Sequence, residues 1–291
     1  MADKSWSIIV FLAFIDGIES LVLCDIMRGF MCFETQAIKP LQGESMIIIP
    51  ARLASTRFPN KILADIFGLP MVIASAKNAA KVDEVCVACD DVSVLELCQS
   101  HNIRAILTSK DHQSGTDRCY EAAKKLGLPS SEIIINVQAD EPFLEPEILQ
   151  ALQGVMQQGA FMASCAKHIT KAQALDPNVV KVVVDSRMNA LYFSRSLIPY
   201  DRDCATLESS AQYLGHLGVY GYSVESLREF CALPQSKEHS PLEHIEKLEQ
   251  LRALYYGKRI AMVLVETQSI GIDTPEDLAR ALQHFENLAR F

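Results

Sequence analysis

The chain has 291 residues, of which 49% are apolar, and a formal net charge of -9. This length and composition are enough to bury a large core, in one domain or in two small ones. The acidic charge argues against nucleic-acid binding, because proteins of that class carry a basic surface over one face. Nine cysteines, an odd number spread through apolar segments, favour a reduced cytoplasmic chain over a disulfide framework.

Residues 1–45 differ in character from the rest of the chain. A short apolar run, residues 8–14, comes after Lys4 as in a signal peptide, but Asp16 and Glu19 interrupt the next segment and no clear cleavage site appears. The run is also too short for a membrane span, so we expect no stable membrane insertion. We predict that 1–45 is an extension outside the functional fold and that 46–291 forms a single domain. A membrane-surface anchor is the alternative for the extension.

From Met46 onward, short apolar runs alternate with longer amphipathic segments. The predicted strands are MIIIPA, EVCVACD, RAILTS and EIIINVQAD, and the predicted helices cover residues 70–81, 92–100, 114–126 and 145–157. This alternation indicates βαβ units and a mostly parallel sheet with helices on both faces. In such sheets, ligands bind at the carboxyl ends of the strands.

The pattern changes at about residues 180–222, where strand-like runs follow one another with no helix between them. We predict an antiparallel β insertion there, which serves as a substrate lid or as a dimer interface. A long helix, PLEHIEKLEQLRALYY, is predicted next, with Pro241 in its first turn. After a last strand, IAMVLVE, we expect Thr274 to cap a C-terminal helix that Pro275 opens, with Asp277 near its third position.

Three cationic side chains come after the first predicted strand, namely Arg52, Arg57 and Lys61. The carboxyl-end rule places them at the ligand edge of the sheet. Arginine offers a fork of donors and lysine a point charge, so together they suit a triphosphate. The loop is not a Walker A motif, because the G-x-x-x-x-G-K pattern is missing. A solvated cationic turn is the alternative interpretation of this loop taken alone.

Two acidic side chains come after other predicted strands. Asp140, in NVQADEP, comes after a run of isoleucines, and Asp273, in GIDTPED, comes after the last strand. A carboxylate at the end of a buried strand is costly unless a cation pairs with it. Mg²⁺ is such a cation, since it is commonly held by one or two carboxylates together with substrate phosphates. With the cationic loop, these residues predict a metal–nucleotide site.

Eight segments occur in a fixed order: IPARLASTRFPNK, DHQSGTDR, NVQADEP, NVVKVVVD, LYFSRSLIP, GHLGVYGY, LEQLRALYYG and GIDTPEDL. Together they resemble the bacterial CMP-Kdo synthetases, the 3-deoxy-manno-octulosonate cytidylyltransferases of lipopolysaccharide synthesis. The resemblance covers the chain from Met46 to the C-terminal helix. It implies a Rossmann-like, GT-A-like nucleotidyltransferase fold, a homodimer in the cytoplasm, CTP and 3-deoxy-D-manno-octulosonate (Kdo) as substrates, and Mg²⁺ as cofactor.

The resemblance also implies a reaction and a set of residues for it. The anomeric hydroxyl of Kdo would attack the α-phosphorus of CTP and release pyrophosphate. The implied catalytic residues are Arg52, Lys61, Asp140 and Asp273, of which the two aspartates would hold Mg²⁺. The implied nucleotide-binding residues are Arg52, Arg57, Lys61, Ser114, Gly115 and Arg118, and the implied sugar-binding residues are Gln138, Arg195, His216, Tyr220, Glu249 and Gln250.

Several of these residues have a structural alternative. Ser114 begins a sequence that also suits a plain helix cap, Arg195 suits a structural ion pair, and His216 suits a core histidine. For Glu249 there is independent support, because at about 100° per residue it falls between Leu242 and Ile245 on the apolar face of the predicted helix. A helix edge that drifts into solvent is the alternative there.

One position departs from the family pattern. Ala139 stands in NVQADEP where the family has glycine. A methyl group would interfere if this residue needed positive φ or a close approach of substrate. Because every other motif is intact, we predict an ordinary extended backbone at Ala139.

Three rival functions are compatible with parts of the sequence. The chain could activate another acid sugar, such as a sialic acid, or use UTP. It could be a glycosyltransferase, although that class places a D-x-D motif after a central strand and we expect no D-x-D motif in 46–291. It could also be a silent nucleotide-binding protein, but such a protein would tolerate loss of Lys61 or of either aspartate, and all three are present.

Overall fold

The computed structural model describes residues 45–54, 58–202 and 212–289. Within these ranges the strands are β1 (Ser45–Ala51), β2 (Asp65–Ile66), β3 (Leu69–Pro70), β4 (Val85–Cys89), β5 (Ala105–Leu107), β6 (Ile133–Asn136), β7 (Met162–Ile169), β8 (Lys181–Val184), β9 (Ala190–Ser194), β10 (Tyr213–Ser223) and β11 (Ile260–Leu264). The α-helices are α1 (Met71–Ala79), α2 (Val92–Ser100), α3 (Gly115–Lys125), α4 (Pro146–Gln157), α5 (Lys171–Ala174), α6 (Val224–Ala232), α7 (Pro241–Glu246), α8 (Leu251–Tyr255) and α9 (Pro275–Ala289). A 3₁₀ turn covers Lys61–Leu63.

One large sheet forms the centre of the described chain. Its main path runs β11–β7–β10–β6–β1–β4–β5, and β8 and β9 join it beside β10. Four of the six contacts along this path are parallel, and the two made by β10 with β6 and β7 are antiparallel. The structure therefore confirms the predicted mixed α/β fold, with its mostly parallel central sheet.

The core lies on both faces of this sheet. Alternate residues of β1 point to opposite sides, so Ile47 and Ile49 belong to one buried cluster and Ile48 belongs to the other. Helices α1, α2 and α4 cover the first face, and α3, α6 and α8 cover the second. A strand buried on both faces has to be apolar throughout, which explains the unbroken run of isoleucines.

The antiparallel region is more central than an insertion at about 180–222 suggests. β8 and β9 pair with each other beside the main path of the sheet, but β10 lies between β6 and β7 inside that path. Two further elements, β7 and α6, were not predicted. The β7 sequence, MASCAKHI, is poor in the β-branched and aromatic residues that mark a strand.

The prediction of one long helix after Pro241 is wrong. Helix α7 ends at Glu246, where Lys247 adopts the left-handed conformation with φ 55° and ψ 46°. A second short helix, α8, begins at Leu251. Ile245 is 74% exposed, so the apolar face used to support Glu249 does not exist. Pro241 does occupy the first turn of α7 as predicted.

The C-terminal helix begins as the sequence predicts. The Thr274 hydroxyl accepts a hydrogen bond from the backbone N–H of Asp277 at 3.2 Å, and the Asp277 carboxylate accepts one from the Thr274 N–H at 2.9 Å. This reciprocal pair satisfies two donors that the helix leaves open at its start.

Two predictions about the rest of the chain have separate outcomes. No helix in the described ranges is long and apolar enough to cross a membrane. Arg57 and residues 1–44 lie outside the described residues, so the role of Arg57 and the assignment of 1–45 as an extension stay predictions.

Cys86 and Cys89 form a C-x-x-C sequence in β4. Both are buried, and burial raises the pKa of both thiols to about 11.

Candidate active site

A cavity of about 270 Å³ opens at the carboxyl ends of β1 and β6. It lies where the parallel-sheet rule predicts a ligand site. Polar and charged side chains dominate its lining, which comprises Pro50, Arg52, Ala54, Lys61, Ile62, His112, Gln113, Ser114, Gly115, Arg118, Gln138, Ala139 and Asp140.

Lys61 joins the two predicted acidic residues at one side of this cavity. Its ammonium group forms an ion pair with Asp140 and lies 3.1 Å from Oδ1 of Asp273. The Lys61 side chain is 14% exposed and the Asp273 side chain 53% exposed. Burial lowers the pKa of Lys61, but the charges and hydrogen bonds of Asp140 and Asp273 outweigh it, so the net pKa is raised. Lys61 is therefore a permanent cation between two carboxylates.

The backbone brings these carboxylates together from distant parts of the chain. The N–H of Ile272 donates to the carbonyl oxygen of Asp140 at 3.2 Å. Glu141, the next residue, accepts a hydrogen bond from the Ser269 hydroxyl at 3.0 Å. The loop that carries Asp273 is thus fixed beside the end of β6. The prediction that Asp273 directly follows a strand is wrong, because β11 ends at Leu264 and it is these loop hydrogen bonds that bring Asp273 to Asp140.

The turn before α3 forms the opposite side of the cavity. Ser114 caps this helix, because its hydroxyl accepts a hydrogen bond from the N–H of Asp117 at 3.1 Å. A Cβ atom on Gly115 would lie 3.1 Å from Cγ of Pro50, which is tighter than ordinary van der Waals contact. Glycine therefore lets the turn approach the end of β1 closely.

Arg118 lines the cavity but is 2% exposed and fully engaged with the protein. Its guanidinium lies 3.2 Å from Oδ2 of Asp90 and donates to the Thr108 hydroxyl at 2.7 Å. The other Asp90 oxygen accepts from the N–H of Leu53 at 3.2 Å. Arg118 thus supports the cationic loop through Asp90, a residue that the sequence analysis missed. Arg52, in contrast, is an exposed side chain of that loop.

Of the six predicted sugar-binding residues, Gln138 alone lines this cavity. Its Nε2 donates to Oδ1 of Asn136 at 3.3 Å. Asn136 is 1% exposed, and its own Nδ2 has no hydrogen-bond partner among the described residues. A buried amide that lacks a partner calls for a ligand or water. Asn136 was missed, although its place at the end of a buried strand, two residues before Gln138, was a usable signal.

Next to Asn136, a second group of predicted sugar-binding residues gathers on β10. Tyr220 pairs with Asn136 across the sheet, and the Tyr220 and His216 rings lie 5.5 Å apart. His216 Nε2 is hydrogen-bonded to the Ser164 hydroxyl at 2.8 Å. Burial lowers the pKa of His216 to about 3, so its ring is neutral at physiological pH.

Glu249, in the break between α7 and α8, lies close enough to Tyr220 for its charge to act on that residue, and Gln250 follows it in the chain. The two Glu249 oxygens accept hydrogen bonds from the Thr116 hydroxyl at 2.7 Å and from Arg252 at 3.2 Å. Burial raises the pKa of Glu249, and burial, together with the nearby charge of Glu249, raises the pKa of Tyr220. Gln250 is 3% exposed, and its Nε2 has no partner among the described residues.

Arg195 serves the fold in this structure. Its Nε donates to the carbonyl oxygen of Glu246 at 2.8 Å, and its guanidinium also donates to the carbonyl oxygen of Pro177 at 3.1 Å. These contacts hold the end of β9 against α7. The structural ion pair weighed for Arg195 is not found among the described residues, because the acceptors of its guanidinium are backbone carbonyls.

Two local questions from the sequence are answered by the backbone. Ala139 is absent from the residues with positive φ in the described chain, and its carbonyl accepts from the Ser75 hydroxyl at 2.8 Å. Ala139 thus needs no positive φ, but it lies in a turn closed by the hydrogen bond from the Glu141 N–H to the carbonyl oxygen of Gln138, so the prediction of an extended backbone is confirmed only in the sign of φ. The expectation of no D-x-D motif in 46–291 is wrong, because residues 201–203 form one D-x-D triplet. Asp201 lies in the antiparallel region after β9, not after a central strand, and Asp203 lies outside the described residues.

Comparison with known proteins identifies the family. The cytidylyltransferase family model matches residues 46–260. The 3-deoxy-manno-octulosonate cytidylyltransferase of Wolinella succinogenes is 57% identical over 246 residues, which are 82% of this chain and 99% of that protein. The Helicobacter pylori (strain P12) protein of the same name is 58% identical over 241 residues, covering 82% of this chain and 97% of that protein. This chain belongs to the 3-deoxy-manno-octulosonate cytidylyltransferases.

Membership in the 3-deoxy-manno-octulosonate cytidylyltransferases makes the chain a nucleotidyltransferase and confirms the resemblance drawn from its motifs. A solved structure of CMP:2-keto-3-deoxy-manno-octonic acid synthetase, complexed with CTP, is 38% identical. That match covers 84% of this chain and 99% of that protein, with a TM-score of 0.76. The roles of individual residues within this family site stay predictions.

Proposed function

We propose that this chain transfers CMP from CTP to the anomeric hydroxyl of Kdo, giving CMP-Kdo and pyrophosphate for lipopolysaccharide biosynthesis. The anomeric oxygen forms a bond to the α-phosphorus, the bond from that phosphorus to the pyrophosphate oxygen breaks, and the hydroxyl proton leaves to solvent. The observation that carries the proposal is Lys61 held between Asp140 and Asp273 at the family cavity. This proposal extends family membership to one substrate pair.

The triphosphate is assigned to the cationic side of the cavity. Arg52, Arg57 and Lys61 would neutralise its oxygens, with Lys61 nearest the α-phosphate. Charge develops on those oxygens as the new bond forms, and a fixed cation stabilises that charge without reorganising. Ser114 and Gly115 would receive the nucleoside, because both line the cavity opposite Lys61.

The two carboxylates fit Mg²⁺. Asp140 and Asp273 both reach one ammonium group, so their oxygens approach a common point. No group of three or more His, Cys, Asp or Glu suited to a metal exists among the described residues. Two carboxylates plus phosphate oxygens and water form a usual set of Mg²⁺ ligands. When bound, Mg²⁺ would neutralise phosphate charge and lower the pKa of the attacking hydroxyl.

The acid sugar is assigned to the group around Tyr220. Asn136 and Gln250 each bury an amide nitrogen that has no partner among the described residues. Kdo supplies a carboxylate and several hydroxyl oxygens, which are the acceptors that such donors require. Gln138 would join the two halves of the site, since it lines the cavity and is hydrogen-bonded to Asn136.

The cellular setting of the enzyme is also proposed. We assign it to the cytoplasm, because CTP is available there and because buried thiols of raised pKa suit a reducing compartment. We also propose a homodimer. Leu191, Tyr200 and Ile245 are 60%, 82% and 74% exposed, and large apolar side chains on neighbouring elements favour a protein interface.

Pyrophosphate release by the full chain tests the proposed function. Release is expected with CTP, Mg²⁺ and Kdo together, and not when UTP replaces CTP or a sialic acid replaces Kdo. Asp140→Asn should reduce the rate by about a hundredfold or more, because it removes a charged group from the reacting centre. Asp65→Asn, at an exposed hairpin, is the matched control and should keep the wild-type rate. If the wild-type enzyme released pyrophosphate with a sialic acid and not with Kdo, the proposal would be overturned.

A further inference from the structure

Arg252 lies at the centre of a buried charge network outside the triphosphate cavity. Its side chain is 1% exposed, and its guanidinium carbon lies 4.3 Å from the centre of the Phe230 ring. One NH group donates to Glu243 at 3.1 Å and the other donates to Glu249 at 3.2 Å. A buried carboxylate is costly unless charge and hydrogen bonds compensate it. The Glu243 and Glu249 side chains are 16% and 27% exposed, so each carboxylate has room for a further donor besides the shared arginine.

Glu249 finds its further donor on the nucleotide turn. The Thr116 hydroxyl donates to its second oxygen at 2.7 Å. Thr116 is 2% exposed and does not line the cavity, whereas its neighbours Ser114 and Gly115 do. The carboxylate also lies at the first turn of α3, where the partial positive charge of a helix favours an anion. Glu249 therefore connects the nucleotide turn to α8.

The same short segment is held at its other end by the antiparallel region. Glu246 accepts hydrogen bonds from the Ser194 hydroxyl at 2.6 Å and from the N–H of Arg195 at 2.9 Å. Between Glu246 and Glu249 the chain leaves the helical conformation, so its position depends on these contacts. Gln250, with its unpartnered buried Nε2, is the next residue along the chain.

We infer that Thr116 is a positioning residue for sugar binding: its hydroxyl fixes Glu249, which holds the Gln250 amide in place to donate to an oxygen of the acid sugar. This inference rests on the proposed function. Thr116 itself contacts neither substrate. Because Thr116 does not line the cavity and its hydroxyl donates to Glu249, loss of this hydroxyl weakens binding of the sugar more than binding of the nucleotide.

The test compares two substitutions at one position. Thr116→Val removes the hydroxyl at nearly constant volume, and Thr116→Ser keeps it. In Thr116→Val the KM for Kdo should rise about tenfold or more, as for the loss of a hydrogen bond to a charged group. The dissociation constant for CTP, measured by calorimetry without sugar, should stay at the wild-type value. Thr116→Ser should restore the wild-type KM for Kdo.

The outcomes separate this inference from a structural role and from the proposed function. An unchanged KM for Kdo in Thr116→Val, or an equal loss of CTP affinity, would overturn the inference. If Thr116→Val does not fold, Glu249→Gln is tested in its place. This substitution removes the negative charge that pairs with Arg252, and it should raise the KM for Kdo without changing the dissociation constant for CTP. A wild-type enzyme that does not use Kdo would refute the proposed function itself, before any variant is compared.

Discussion

Lys61 shows how a single side chain is fixed by its chemical surroundings. It is flanked by Asp140 and Asp273, and their combined charge holds its pKa above the ordinary value despite burial. The sequence predicted this meeting from strand ends, a reason that holds for Asp140 after β6. It does not hold for Asp273, which lies on a loop after β11, a strand separated from β6 by β7 and β10, and reaches Asp140 through loop hydrogen bonds. The sequence did not predict Thr116 or Asp90, whose importance depends on side-chain partners that are far away in the chain.

Replacing Lys61 tests its role directly. Lys61→Met should reduce the rate of pyrophosphate release by about a hundredfold or more, since one fixed charge at the reacting phosphate is lost. It should also lower the melting temperature, because Asp140 and Asp273 then repel each other without compensation. Lys77→Met, on the exposed side of α1, is the matched control. A rate close to wild type in Lys61→Met would contradict this assignment.

His216 gives a prediction of pH dependence. Burial lowers its folded-state pKa from 6.5 to about 3, so between these values the unfolded chain binds more protons than the folded one. Stability contributed by the neutral ring is therefore complete above pH 6.5 and falls as the pH drops toward 3. The slope approaches about 1.4 kcal/mol per pH unit.

Urea unfolding between pH 4 and 7 measures this slope. His216→Gln should flatten the pH dependence of the free energy of unfolding, because its amide does not titrate in this range. His239→Gln, at an exposed position, should leave the wild-type profile in place. If both variants showed the same profile as the wild type, the neutral buried ring would be excluded.

At the scale of elements, the sequence predicts a helix or a cap well when neighbouring residues determine it, and poorly when contacts with distant elements determine it. Helix α2 and the cap of α9 were predicted closely, because they depend on neighbouring residues. The break at Lys247 was missed, since nothing in PLEHIEKLEQLRALYY marks a left-handed residue. It depends on contacts of Glu246 and Glu249 with other elements, which no local pattern contains.

The left-handed backbone at Lys247 predicts an unusual gain from glycine. Lys247→Gly should raise the free energy of unfolding by about 0.5 kcal/mol, because glycine adopts this conformation without steric cost. Lys77→Gly, inside the right-handed helix α1, should lower it by about 1 kcal/mol. Equilibrium unfolding of both variants measures the two changes, and a loss of stability in both would show that residue 247 is not left-handed in solution.

At the scale of the whole molecule, exposed apolar side chains support the proposed dimer. Light scattering of the wild-type protein should give twice the mass of one chain. Ile245→Lys should shift the protein to the monomer, since burying an unpaired charge in an interface is costly. Val92→Lys, at a residue that is 52% exposed on α2 at the other end of the sheet, should leave the dimer intact. A wild-type monomer at every concentration would refute the proposal.

The attachment of the Asp273 loop to Asp140 has a consequence for synthesis of the chain. The ion pair of Lys61 needs residues from the beginning, middle and end of the described sequence. A nascent chain on the ribosome can form β1, β4 and β6 early, but it has no complete site until the residues around Asp273 emerge. Any product of premature termination before this loop therefore lacks one of the two carboxylates that meet Lys61.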